Sequence, residues 1–213
     1  MYDNAGNIRP GTFNENSIQG VANTGTNVFG GVQLKKIVDT FGSGSVLELG
    51  TNTGLSGCYF LSSKNTAKLI TIEGSAELCD IAKSNLTVFG KNFIVVNDLF
   101  DLAIAQLGKD SVRFRYSFVD GQHEKKATIL YKDLLLPLME PGGVMIFDDI
   151  YWSEGMYEAW LEISSDPNFD MCLDLGWRGV CRIRGHTQSP SAELIRFDIS
   201  QYLGKPPIQR PGW

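Results

Sequence analysis

Along this chain, short continuous apolar runs alternate with stripes of apolar residues spaced by three and four, and the two periods predict strands and helices in turn. Val46, Leu47 and Leu49, and then Leu69 to Ile72, head a series of apolar runs that predicts strands near 45–50, 68–73, 93–97, 115–120 and 143–148. Val32, Leu34, Ile37, Val38 and Phe41 have helical spacing, so a helix is expected over 31–41 ahead of the first strand. Further helices are expected near 55–63, 75–89, 99–108, 123–139 and 153–165. Regular alternation of this kind predicts an α/β fold, a mostly parallel sheet with helices on both faces. In the helix over 123–139, Ala127, Leu130, Leu134 and Leu138 mark the face expected to meet the sheet, and Pro141, Gly142 and Gly143 are expected to end it. FDMCLDLGWRGVCRIR reads as two strands around a turn at Gly176 and Trp177, a closing hairpin that brings in an antiparallel strand. Ile195, Phe197 and Ile199 suggest one more short strand.

The ends read differently. Residues 1–30 are rich in Asn, Gly and Thr and predict an irregular arm able to cover a cleft, 31–185 form the main domain, and 186–213 are a C-terminal extension ending in KPPIQRPGW. A chain of 213 residues can bury one substantial core. Its formal charge of -5 argues against nucleic-acid binding through a basic face, and a small or neutral partner is expected instead. No apolar run approaches the length that crosses a bilayer, and MYDNAGNIRPG lacks the charged and apolar regions of a signal peptide, so a soluble cytoplasmic protein is expected. Cys58, Cys79, Cys172 and Cys181 have no paired zinc-ligand spacing and read as buried free thiols. A tight turn at Gly176 would make Cys172 and Cys181 face each other.

The chemistry concentrates first in SVLELGTNTGLSG, over 45–57, and in LITIEG, ending at Gly74. Gly50, Gly54 and Gly57 allow a sharp turn close to a ligand, and Thr51, Asn52, Thr53 and Ser56 offer hydrogen bonds where the next helix begins. Glu73 stands at the next strand tip, the place of an acid that receives ribose hydroxyls. A dinucleotide fingerprint has glycine at the second position so that a pyrophosphate can approach; here that position is Asn52, and the acid Glu48 precedes the turn. An amino-acid-bearing nucleoside fits better than NAD.

With these residues the chain resembles the class I S-adenosylmethionine-dependent methyltransferases over roughly Gly31 to Arg184. The resemblance implies a Rossmann-like, mostly parallel seven-stranded sheet with a C-terminal antiparallel hairpin. It implies that the first loop cradles the methionine portion and that the acid after the second strand holds the ribose, so Glu48, Gly50, Thr51, Asn52, Gly54, Ser56, Glu73 and Gly74 are candidate binders of S-adenosylmethionine and of its product S-adenosylhomocysteine. Asp98, after FIVVN, falls where the family contacts the adenine edge, and it also suits a helix N-cap before Leu99 to Leu107.

FVDGQH, ending at His123, and VMIFDDI, ending at Ile150, are apolar strands that finish in carboxylates. On neighbouring parallel strands, about 4.8 Å apart, Asp120, Asp148 and Asp149 can converge, and three carboxylates together call for a proton or a cation. A hard divalent ion such as magnesium satisfies the arrangement. The alternative is that Asp148 and Asp149 cap the following helix and Asp120 lies at the cofactor edge, without metal. The pattern resembles the metal-dependent O-methyltransferases of catechols, caffeoyl thioesters and antibiotic sugars, and the methyltransferase domain 24 group. His123 stands where the catechol enzymes carry a catalytic lysine; its ordinary pKa near 6.5 suits a general base. An exposed histidine, or one that orients a carboxylate, is the other reading. His186 is read as structural or exposed. Tyr151 and Trp152 are candidate substrate-wall residues, whereas Trp160, spaced with Met156 and Ile163, is expected in the core.

The expected activity is therefore transfer of the methyl group of S-adenosylmethionine to a hydroxyl oxygen of a small molecule (sugar, polyol or phenolic). Magnesium at Asp120, Asp148 and Asp149 assists, and His123 and Asp120 are the catalytic residues. The alternatives are a metal-independent N-, O- or C-methyltransferase and a cofactor-binding protein without transferase activity; an NAD-linked oxidoreductase is least favoured. A homo-oligomer is compatible with the sequence but not demanded by it.

Overall fold

The structure, a computed structural model, describes residues 25–90, 92–185 and 195–198. The expected N-terminal arm up to residue 24, His186 and the KPPIQRPGW tail lie outside the described residues. The chain divides into two compact units, Met1–Val112 and Arg113–Trp213.

In the first unit the elements run α1 (Val28–Phe41), β1 (Gly44–Leu49), α2 (Leu55–Leu61), β2 (Thr66–Glu73), α3 (Ala76–Thr87), β3 (Phe93–Asn97) and α4 (Phe100–Lys109). The strands pair in parallel in the order β3-β2-β1, with Leu49 opposite Ile72 and Glu73 opposite Asn97. Val46 to Leu49 and Leu69 to Glu73 are buried without interruption, as expected of parallel strands covered on both faces. Helix α1 starts three residues earlier than its apolar stripe, because Asn27 caps it: Asn27 Oδ1 accepts the Gly30 N–H at 2.8 Å. Ser75 caps α3 in the same way, accepting the Leu78 N–H, with Glu77 in the first turn complementing the helix dipole.

The second unit contains β4 (Phe114–Val119), α5 (Lys125–Leu135), a 3-10 turn (Leu136–Leu138), β5 (Met139–Phe147), α6 (Glu154–Ser164), β6 (Phe169–Asp174), β7 (Gly179–Ile183) and β8 (Ile195–Asp198). The order is β4-β5-β7-β6-β8; β4 and β5 are parallel, β7 runs antiparallel to both β5 and β6, and β8 pairs with β6 in parallel. The expected hairpin is present, with Gly176 at φ 90° in its turn, and β8 supplies the further short strand.

Two local expectations are corrected. Pro141, Gly142 and Gly143 do not end the helix; they lie inside β5, where Phe114 pairs with Met139 but Tyr116 pairs with Val144. The extra residues form a bulge, and a Cβ at Gly143 would come within 2.8 Å of the Glu140 carbonyl oxygen and 2.9 Å of that of Arg115. The helix ends instead at Leu135, ahead of Pro137, which lacks an N–H and disfavours helix at the residue before it. The buried face of α5 is Thr128, Tyr131, Lys132 and Leu135, one position on from the expected stripe, and Leu130 is exposed. Polar anchors decide the rotation: Thr128 Oγ1 donates to the Glu124 carbonyl, and Lys132 Nζ reaches Asp166 Oδ2 at 2.6 Å.

Trp160 of α6 is buried against β7, and a Cβ at Gly179 would lie 2.2 Å from its ring, so that glycine is required for helix and strand to meet. Cys79, Cys172 and Cys181 are buried and Cys58 is half-buried; all four are free. Cys172 and Cys181 are register partners with their sulfurs 3.1 Å apart, and burial pushes the Cys181 thiol well up from its ordinary pKa.

Candidate cofactor and acceptor sites

The first unit builds its site from the ends of β1, β2 and β3. After β1 the chain turns at Gly50, φ 99°, and the Gly50 and Thr51 N–H groups donate to the Ile72 carbonyl at 3.0 and 3.3 Å. Asn52 follows at φ 48°, a left-handed conformation that Asn tolerates better than most side chains. Its N–H donates to Glu73 Oε2 at 2.9 Å, and Glu73 Oε1 accepts the Ser75 N–H at 3.0 Å. One carboxylate therefore ties the loop after β1 to the start of α3. The Glu73 carbonyl in turn accepts from Asn97 Nδ2 at 2.9 Å and from the Asp98 N–H at 3.2 Å. Glu73 and Asp98 thus stand on adjacent strand tips. Asp98 is exposed, and its Oδ1 accepts the Leu99 N–H; Leu99 itself is the N-cap residue of α4, so Asp98 sits one position before the cap expected of it. Gly74 is exposed beside Glu73.

Glu48 lies beneath this loop and is fully buried. Ser56 Oγ donates to its Oε1 and Thr71 Oγ1 to its Oε2, while Thr71 Oγ1 also bonds Thr51 Oγ1 at 2.5 Å. Burial pushes the Glu48 carboxyl up from 4.5 to about 7, against the two hydroxyl hydrogen bonds, with the nearby Glu73 charge adding to the rise. The glycines divide by role. Gly50 and Gly54 (φ 83°) serve the turn, whereas a Cβ at Gly57 would meet Leu86 Cδ2 at 2.8 Å and Leu69 Cδ2 at 3.0 Å. Gly57 therefore lets α2 pack on α3 and β2, a role in place of the ligand approach expected of it. Thr71, which bonds both Glu48 and Thr51, escaped sequence reasoning because a Thr within a strand run carries no signal of its own.

The second unit gathers its chemistry after β4 and β5. Asp120, His123 and Asp149 each offer one ligand atom within 4.8 Å of the others, all partly exposed. His123 Nε2 is 3.5 Å from Asp149 Oδ2, and its ring centroid lies 5.5 Å from that of Trp152. Asp149 is left-handed, φ 53°, and the turn sends the two consecutive carboxylates to different partners. Asp148 is buried and forms a two-pronged pair with Arg178, Nε to Oδ1 at 3.0 Å and Nη2 to Oδ2 at 2.7 Å. Of the three expected metal ligands, two converge with His123 and the third is held by a guanidinium. Asp148 and Asp149 do not cap α6: Ser153 does, accepting the Met156 N–H.

Tyr151 is buried, stacks on Tyr157 and donates to Asp174 Oδ2 at 2.6 Å, so its hydroxyl faces the hairpin; Trp152 is the half-exposed aromatic beside His123. Arg178 was not singled out from sequence. It is one of three arginines in the hairpin, with Arg182 and Arg184, and its burial, which the sequence does not show, sets it apart.

Residues 47–150 match the family model of a methyltransferase domain. Solved structures similar to this chain include the S-adenosylhomocysteine complex of an O-methyltransferase from Bacillus cereus, 21% identical, covering 78% of this chain and 88% of that one with a TM-score of 0.65. The O-methyltransferase TomG from Streptomyces achromogenes, involved in tomaymycin synthesis and solved with S-adenosylmethionine, is 16% identical over 76% of this chain and 82% of its own, with a TM-score of 0.65. The S-adenosylhomocysteine-bound methyltransferase PaMTH1 of Podospora anserina is 16% identical over 81% and 84%, with a TM-score of 0.62. No curated protein matches the chain in sequence. The match over residues 47–150 is to a methyltransferase domain, and the solved structures share the Rossmann-like fold of this chain.

Proposed function

We propose that the chain transfers the methyl group of S-adenosylmethionine to a hydroxyl oxygen of a small molecule, with a divalent cation assisting and His123 accepting the proton. The observation that carries this reading is the convergence of Asp120, His123 and Asp149 within 4.8 Å after two strand ends. The similarity in fold to O-methyltransferases supports oxygen as the acceptor atom. The net charge of -5 supports a small-molecule partner over nucleic acid.

The first unit fits the cofactor through the chemistry of its donors. Glu73, a carboxylate at the tip of β2, offers acceptors suited to vicinal ribose hydroxyls. Asp98, one strand over, suits an exocyclic amino group. Gly50, Thr51, Asn52 and Gly54 present the loop to the methionine portion, and Glu48 and Ser56 hold that loop from below. Bound S-adenosylmethionine supplies a methyl group on a positively charged sulfur.

In the second unit Asp120 and Asp149 offer the oxygen donors that magnesium prefers, and the His123 nitrogen is left for the proton. Such an ion, when bound, fixes the acceptor hydroxyl and lowers its pKa. The acceptor oxygen forms the new C–O bond with its lone pair as the methyl–sulfur bond breaks, and sulfur keeps that electron pair. The hydroxyl proton passes to His123 Nε2, where the new charge lies 3.5 Å from Asp149 Oδ2. Trp152, beside His123, forms a wall for a planar or sugar acceptor.

The test is methyl transfer from labelled S-adenosylmethionine to a panel of polyols, sugars and phenols, run before and after chelation. We expect methylated hydroxyls, loss of turnover on chelation and its return with magnesium. Turnover that survives chelation would leave a metal-free reaction run by the Asp149–His123 pair. Binding without transfer to any acceptor would leave a cofactor-binding protein.

A further inference from the structure

Cys172 on β6 and Cys181 on β7 stand in the geometry of a covalent reaction that methyl transfer does not use. They are direct register partners on antiparallel strands, and the Cys172 thiol donates to the Cys181 sulfur at 3.1 Å. The β6–β7 turn shows which kind of pair they form. It is closed by the Leu175 N–H donating to the Arg178 carbonyl at 2.8 Å, so Leu175 and Arg178 are a hydrogen-bonded pair. Bonded and non-bonded pairs alternate along antiparallel strands, which makes Cys172 and Cys181, the third pair further out, a non-bonded one. Cα atoms in such pairs lie about 4.5 Å apart with their side chains drawn together, inside the span of about 4.4–6.8 Å that a disulfide bridges. An S–S bond is about 2.04 Å long, so the two sulfurs need to close by only about 1 Å to form one.

We propose that Cys172 and Cys181 form a reversible disulfide by exchange with a low-molecular-weight disulfide such as oxidised glutathione. One cysteine, as thiolate, attacks the small disulfide and releases one small thiol; the other then attacks the protein sulfur of the mixed disulfide and releases the second. The two protein thiols are oxidised to one S–S bond, the small disulfide is reduced to two thiols, and the two protein protons end on them. Both sulfurs are buried, and burial keeps the Cys181 thiol protonated, so attack proceeds when the strand edge opens locally. That opening is short, because beyond β6 the sheet continues only with the four-residue β8. The bond staples the hairpin whose turn holds the segment after β5, through Arg178 on Asp148 and through the Ile150 N–H on the Trp177 carbonyl. The thiol–disulfide poise around the chain thereby sets how firmly this turn is closed. A crosslink between sulfurs that the fold already holds together restricts the unfolded chain more than the folded one, so it forms more readily in the folded chain.

The test equilibrates the full-length chain in buffers of fixed reduced-to-oxidised glutathione ratio, once folded and once unfolded in urea. Remaining thiols are then blocked with N-ethylmaleimide, and the chain is digested with trypsin for mass spectrometry. Cleavage after Arg178 separates the two cysteines, so a bond between them leaves two peptides joined and two hydrogens lighter than their sum. We expect the joined pair, its loss on treatment with dithiothreitol, and an equilibrium constant at least about tenfold larger in the folded chain than in urea. Cys172→Ser should abolish the joined pair and leave Cys181 without a bond to Cys58 or Cys79. If that variant fails to fold, the comparison of folded with unfolded parent decides alone. A constant no larger in the folded chain than in urea would overturn the proposal. So would Cys172 and Cys181 that remain thiols at every ratio, or a stable mixed disulfide with glutathione at either of them in place of the joined pair.

Discussion

At the scale of single residues, Glu48 and His123 carry the sharpest consequences. Glu48 has its folded pKa near 7, above its ordinary 4.5, so the folded state holds that proton more tightly than the unfolded one. The contribution is fully present below pH 4.5 and is lost as pH rises through about 7, a change of about 3 kcal/mol by linkage. Glu48→Gln keeps a hydrogen-bonding side chain, because the Ser56 and Thr71 hydroxyls can rotate to accept as well as donate. Chemical denaturation between pH 4.5 and 8 should therefore show a shallower pH dependence in that variant, with the gain in stability at the alkaline end. An unchanged slope would mean that Glu48 is not the titrating group. His123→Ala should lower kcat by roughly 10²-fold or more, with cofactor affinity unaffected. A variant that keeps full turnover across neutral pH would exclude His123 as the base. Glu73→Ala should weaken S-adenosylhomocysteine binding by about ten- to a hundredfold in calorimetry, the effect of losing hydrogen bonds to a charged group.

At the scale of elements, the strands were legible because parallel strands covered on both faces are continuous apolar runs, and β1 to β4 fall within two residues of where those runs place them. The end of α5 was not legible: Pro-Gly-Gly is a strong stop signal, but the stop had already occurred at Pro137 and the glycines serve the bulge in β5. The rotation of α5 was hidden for a different reason. Its apolar residues satisfy helical spacing on more than one face, and Thr128 and Lys132, bonded to Glu124 and Asp166, choose between them. In the candidate sites the acids at strand tips could be read from sequence, since each ends an apolar run. Their partners could not, because Arg178 and Thr71 reach Asp148 and Glu48 from elements far away in the chain. Element packing yields its own prediction. Gly179→Ala places a methyl group where the Trp160 ring stands, 2.2 Å away, and should destabilise the fold by about 1–3 kcal/mol, measured by urea unfolding. Trp160→Leu in the same background should recover part of that loss by making room.

At the scale of the whole molecule, the chain forms two compact units. The first carries the loop, Glu73 and Asp98, proposed here for the nucleoside; the second carries Asp120, His123 and Asp149, proposed for the acceptor. Among the described residues no helix is long and apolar enough to cross a membrane. The central claim is that the first unit's loop binds S-adenosylmethionine rather than a dinucleotide, a distinction that turned on Asn52. The most direct measurement is thermal unfolding of the full chain with saturating S-adenosylhomocysteine, set against the same experiment with NAD, because a ligand selective for the folded state raises the midpoint. The account predicts a saturable rise with S-adenosylhomocysteine that Glu73→Ala reduces, and no rise with NAD. A rise with NAD and none with S-adenosylhomocysteine would contradict it.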